Sequence, residues 1–105
     1  MSTASISADL KLSLLRGLLG NVYPDLRQAS IEADDRERII RIRFEFDGKP
    51  SAWSRDACSS ASTEVMADFD DPWELEESFI SCQYPNKLNA LKFIVYLRAE
   101  IGVNA

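Results

Sequence analysis

Residues 38–46 alternate with a period of two. Ile40, Ile42, Phe44 and Phe46 fall on one side, and Arg41, Arg43 and Glu45 on the other. Four large apolar side chains on one face of a strand need a layer to cover them, because apolar surface is driven out of water. Residues 10–22 supply one cover. Leu10, Leu14, Leu15, Leu18, Leu19 and Val22 recur at helical spacing. Leu12 falls off that stripe, which predicts some cover on a second side. Residues 51–69 supply another, with Ser51 as N-cap. Trp53, Ala57, Ala61, Val65 and Phe69 recur at intervals of four, and Cys58 and Met66 lie beside them. Ser54, Ser59, Ser60, Ser62 and Thr63 form the opposite side. The small residues in the middle allow a close approach to a sheet, and Trp53 is read as a core residue, with an interface anchor as the alternative.

The remaining elements follow from turn signals. Ser7 is a candidate N-cap for the first helix, and Gly20-Asn21 stops it. Gly17 inside that helix costs roughly 1 kcal/mol against alanine, which a close approach to another element would explain. Residues 26–33 alternate weakly, Ala29, Ile31 and Ala33 against Gln28, Ser30 and Glu32, which predicts a strand with one wet face. Residues 34–36 make the hairpin loop. Residues 76–84 and 91–98 read as two further strands. In the last of these, Leu91, Phe93, Val95 and Leu97 oppose Lys92, Ile94, Tyr96 and Arg98. The expectation is a two-layer α+β sandwich, αββαββ, with both helices on one face of a four-stranded, largely antiparallel sheet. The other face would show Arg41, Arg43, Glu45, Gln83, Lys92, Tyr96 and Arg98. A chain of 105 residues, 46% hydrophobic and 28% charged, fits a single domain over 1–105 with 1–7 as a disordered end and 101–105 as a short tail.

The net charge of −5 is unevenly spread. Residues 1–49 carry eight basic and eight acidic side chains, whereas residues 50–105 carry four and nine. The excess concentrates in residues 68–77, D-F-D-D-P-W-E-L-E-E, where six of ten residues are acids. Crowding like charges gains a fold nothing. The run is either solvated surface or a docking surface for a basic partner. Asp71, Pro72 and Glu74 fit the start of a short helical turn, as N-cap, first residue and returning carboxylate. Asp68, Asp70, Glu76 and Glu77 have no such account. Trp73 in their midst fits either a staple to the core or an interface centre ringed by charge.

Chemistry finds little support. The chain has no histidine, so the usual general base and commonest metal ligand are missing. Its four glycines do not cluster into a phosphate loop. D-F-D-D lacks the spacing of a calcium loop. Cys58 and Cys82 match no metal spacing and read as buried free thiols, although sequence leaves a disulfide open. An acidic chain is a poor binder of nucleic acid. No apolar stretch is long enough to span a membrane, and residues 1–8 do not read as a signal peptide. The expectations are no enzymatic activity, no cofactor, no metal, and the cytoplasm as compartment.

Three segments resemble a family of small immunity proteins from bacterial toxin systems of the contact-dependent growth inhibition or colicin type. They are L-L-R-G-L-L-G-N-V at 14–22, R-F-E-F-D-G-K-P-S at 43–51 and S-T-E-V-M-A-D-F at 62–69. S-C-Q-Y-P at 81–85 and V-Y-L-R-A-E at 95–100 are similar to the same family. The similar sequences carry acids just after the P-S of the second segment, whereas this chain has Ala52, Trp53 and Ser54, with Asp56 the first acid. The resemblance implies a non-catalytic protein, monomeric when free, that binds and neutralises one cognate toxin domain, commonly a basic nuclease. Glu64, Asp68, Asp70, Asp71, Trp73, Glu74, Glu76 and Glu77 are the candidate partner-binding residues. The alternative is a non-enzymatic adaptor or self-associating domain using the mixed sheet face around Tyr96 and Ile94.

Overall fold

The computed structural model describes residues 3–100. In chain order it runs α1 (Thr3–Leu18), β1 (Leu26–Asp34), β2 (Ile39–Phe46), α2 (Ala52–Ala67), β3 (Glu74–Ser81) and β4 (Phe93–Leu97). One sheet forms with the strand order β3-β2-β1-β4. β1 is antiparallel to β2 and β4, whereas β2 and β3 are parallel. This is the expected αββαββ α+β architecture, with a mixed sheet. The parallel pair follows from α2, since two parallel neighbours need a crossover long enough to return the chain to the same end.

The alternation of β2 sets the core. Ile40, Ile42, Phe44 and Phe46 are all buried, together with Leu26, Ala29 and Ile31 of β1, Leu10, Leu14 and Leu18 of α1, and Cys58, Ala61 and Val65 of α2. Phe79 of β3 stacks on Phe44 and Phe46, at 5.6 and 6.3 Å between centroids. Where α1 crosses α2, a Cβ added to Gly17 would lie 2.9 Å from the Ala61 carbonyl oxygen and 3.1 Å from its Cα. Glycine is therefore required there by proximity. Gly20, at φ +78°, ends α1 as expected, and the Ser51 hydroxyl accepts from the Ser54 amide to cap α2.

The core sides of both stripes hold, Leu10, Leu14 and Leu18 on α1 and Ala57, Ala61 and Val65 on α2, but the buried faces are wider or differently centred than hydropathy alone implies. Ser13 and Gly17 face inward on α1, while Leu12, Leu15 and Leu19 are exposed. On α2, Ser54 and Ser62 are buried and Trp53 is 74% exposed, so the reading of Trp53 as core is corrected. Gly17 against Ala61 is what allows the two helices to approach. α1 begins at Thr3, so Ser7 is internal to the helix rather than its N-cap. Of the end 1–7 read as disordered, residues 3–7 are helical, and 1–2, like the tail 101–105, lie outside the described residues.

The sheet face away from the helices is not open. Residues 82–92 carry the chain from β3 at one edge to β4 at the other, and they cross that face. The Leu91 amide donates to Ser30 Oγ, the Asn89 amide to Glu45 Oε2 and the Lys92 amide to Glu32 Oε1. Arg43 donates to the Asn89 carbonyl. This crossover and the one through α2 step in opposite directions across the sheet. Passing on opposite faces gives them the same hand, as the rule for such connections requires. Two expectations fail for this reason. β1 has no wet face, since Gln28 and Ser30 are buried, and Glu45 is buried beneath the strap, where it accepts from Gln28. In β4 a bulge places Val95 between the pairs Ser30↔Ile94 and Ala29↔Tyr96. Tyr96 therefore packs toward the core with Phe93, while Leu97 turns outward. A mixed face displaying Tyr96 for self-association does not exist.

Arg27 anchors one end of the strap. It is 3% exposed and donates to both carboxylate oxygens of Glu100 at 2.6 and 2.9 Å, and to the Cys82 and Asn86 carbonyls. Arg98 bridges Glu100 and Asp47. The Arg27 hydrogen bonds hold the Glu100 carboxyl below the usual range, and the Tyr84 amide followed by Arg98 does so for Asp47. Both cysteines are free, and burial pushes the Cys58 thiol up to about 12.

Candidate functional site

The acidic run begins where α2 ends. Asp68 is the C-cap of α2, and its carboxylate accepts from Ser13 Oγ at 2.6 Å and from Arg16 at 2.8 Å. Asp68 therefore ties the two helices together, although an exposed ion pair of this kind adds at most about 1 kcal/mol. The chain then turns through Asp70 and a cis Asp71–Pro72 bond, with the Trp73 amide donating to the Asp70 carbonyl. β3 starts at once, and the Glu74 amide donates to the Arg38 carbonyl. The helical turn expected at 71–74 does not form, because pairing with the start of β2 captures Glu74 first. The same pairing starts β3 two residues before the expected 76, and it ends three residues before the expected 84.

β3 sorts its acids by face. Leu75, Glu77 and Phe79 lie opposite the inward residues Ile40, Ile42 and Phe44, so Glu74 and Glu76 point to the other face. Glu76 pairs with Arg41 at 3.1 Å, and Arg41 also reaches Glu32 at 3.6 Å. Glu77 turns toward α2, where Ser59 Oγ lies 3.4 Å away. Glu74 and Glu76 on an edge strand also discourage pairing with another chain. Glu64 is exposed on α2, one turn before Asp68. Glu64, Glu74, Glu76 and Glu77 therefore do not join Trp73 in one cluster.

Asp68, Asp70 and Asp71 do. With Trp73 they line a groove of about 550 Å³ whose other walls are Ile6, Asp9, Asp35, Arg38 and Phe69. Trp73 is half-buried. Its ring packs edge-on against Phe69 at 6.4 Å and touches the core, while the Arg38 guanidinium lies over it at 5.3 Å. It is both a staple and part of a concave surface. Sequence reasoning missed Asp9, Asp35 and Arg38. Asp9 reaches the groove because α1 runs antiparallel to α2, and Asp35 and Arg38 because the β1–β2 loop closes beside the start of β3. Within that loop Asp34 Oδ1 accepts from the Arg36 and Glu37 amides, and Arg38 takes a left-handed backbone, φ 56°. Among the described residues, Asp9, Asp35, Asp70 and Asp71 make no ion pair, and neither does Arg38.

The groove offers a negative field and one aromatic face. Among the described residues that line it, none is a serine, threonine, cysteine, lysine or histidine. Among the described residues no group of three or more His, Cys, Asp or Glu side chains could hold a metal ion. No described helix is long and apolar enough to cross a membrane. What this arrangement can do is receive positive charge.

No curated protein matches the chain. The model of the MafI2 immunity protein family matches residues 7–100, which runs from the second turn of α1 through β4, and the chain therefore belongs to that family.

Proposed function

We propose that this immunity protein neutralises its cognate toxin by setting the acidic groove around Trp73 against a basic surface of the toxin domain. The observation that carries this reading is the convergence of Asp9, Asp35, Asp70 and Asp71. They come from three separate stretches of chain, meet at one concavity, and make no ion pair among the described residues. Unpaired like charges held together repel, and a basic partner relieves that repulsion. The binding set is Asp68, Asp70, Asp71 and Trp73 with Asp9 and Asp35. Glu64, Glu74 and Glu76 extend the field at longer range, and Glu77 acts in packing against α2.

A toxin with such a surface fits a nuclease, whose substrate is a polyanion. The groove would cover either its active site or a neighbouring surface needed for substrate. On this reading the protein works in the cytoplasm, as a monomer until it meets the toxin, in a system of the contact-dependent growth inhibition or colicin type. Growth protection tests the proposal. Cells expressing the toxin domain should be rescued by the wild-type chain and not by the folded Asp70→Lys/Asp71→Lys variant. Equal rescue by the two would refute it.

A further inference from the structure

The proposed docking surface contains a more specific feature. A guanidinium near carboxylates ordinarily takes a bidentate pair with one of them. Arg38 has five aspartates lining the same groove, yet it pairs with none of them among the described residues and lies over the indole of Trp73 instead. The groove is thus lined by an aromatic ring that already carries a planar cation, together with five carboxylates. That combination selects guanidinium over ammonium, because only the former stacks on a ring and offers in-plane donors to carboxylates at the same time.

We propose that the Trp73 face is the seat for an arginine side chain of the toxin, and that Arg38 is its internal occupant in the free protein, displaced on binding. This rests on the acidic groove being the docking surface. Displacement requires little of the fold. Arg38 sits in the four-residue loop between Asp34 and Ile39, and its backbone link to β3 runs through its carbonyl, not its side chain. The aspartates lose no ion pair to Arg38 when it leaves, and the arriving guanidinium restores the contact with the ring.

The test uses the toxin domain purified away from its complex with this chain, with affinities measured at fixed ionic strength. Arg38→Asn is the informative variant, because asparagine tolerates the left-handed backbone and removes the competing cation. It should bind about two- to five-fold tighter, the worth of one exposed cation–aromatic contact. Arg38→Lys should bind no more weakly than wild type. Trp73→Leu keeps apolar bulk against Phe69 and should bind about thirty-fold more weakly, the worth of a desolvated contact, with Trp73→Phe in between. In the Trp73→Leu background the gain from Arg38→Asn should shrink to the part due to charge alone, which added salt removes.

A gain undiminished there would overturn the proposal, since Arg38 would then act only through its charge. Weaker or unchanged binding by Arg38→Asn would also overturn it. If Asp70→Lys/Asp71→Lys leaves binding intact, the docking surface itself is wrong. If that variant binds poorly while the Arg38 and Trp73 variants behave as wild type, the surface stands and only the arginine seat falls.

Discussion

Replacing Gly17 by alanine sets two effects of opposite sign against each other. Alanine is the better helix former, by about 1 kcal/mol. Its Cβ would lie 2.9 Å from the Ala61 carbonyl oxygen, 3.1 Å from Ala61 Cα and 3.3 Å from Ala61 Cβ. The first two are backbone atoms of α2, so no side-chain rotation relieves them and the helices must move apart. That motion loosens Leu14 and Leu18 against Cys58, Ala61 and Val65. Overpacking of this kind costs about 1–3 kcal/mol, and the backbone identity of the clash favours the upper part of that range. The net expectation is a loss of about 1–2 kcal/mol, a fall in Tm of roughly 4–15 °C for a domain of this size. Gly17→Val should be worse. Gly20→Asn is the control, because Gly20 has nothing within 4 Å of an added Cβ and asparagine tolerates its positive φ. Thermal and urea unfolding would measure all three. A Gly17→Ala protein as stable as wild type would refute the close-crossing argument.

Other expectations test separate parts of the fold. The depressed carboxyls of Asp47 and Glu100 contribute stability that is present above their ordinary range and lost as pH falls below about 4. Glu100→Gln should be less stable at neutral pH and should flatten that acid loss in urea titrations at several pH values. Cys58, with its thiol pushed up to about 12, should resist alkylation in the native protein, whereas the partly exposed Cys82 should react, as intact mass would report. Trp53→Ala should change unfolding free energy by less than about 0.5 kcal/mol, because the side chain is 74% exposed.

The sheet core was legible in the sequence because β2 has a strict period-two pattern, and burial of Ile40, Ile42, Phe44 and Phe46 follows from it directly. The helix faces were legible only in part. Hydrophobic stripes overweight leucine and tryptophan, so Leu15, Leu19 and Trp53 were read as inward while the buried Ser13, Ser54 and Ser62, which no hydropathy pattern rewards, were not. The strap at 82–92 left almost no sequence signal, since its bonds run from backbone amides to Ser30, Glu32 and Glu45, residues that read as a wet face. The charge excess around Trp73 was plain in the sequence. Asp9, Asp35 and Arg38 were not, because they reach the groove through tertiary folding from positions roughly 35 or more residues away in the chain.

The association rate with the toxin domain, measured for wild type and Asp70→Lys/Asp71→Lys over a range of salt, tests the groove most directly. Steered encounters gain a factor of about 10–1000 that salt removes. The account predicts that the wild-type rate falls steeply with ionic strength, while the variant starts slow and barely responds. Two curves that coincide at low salt would contradict it.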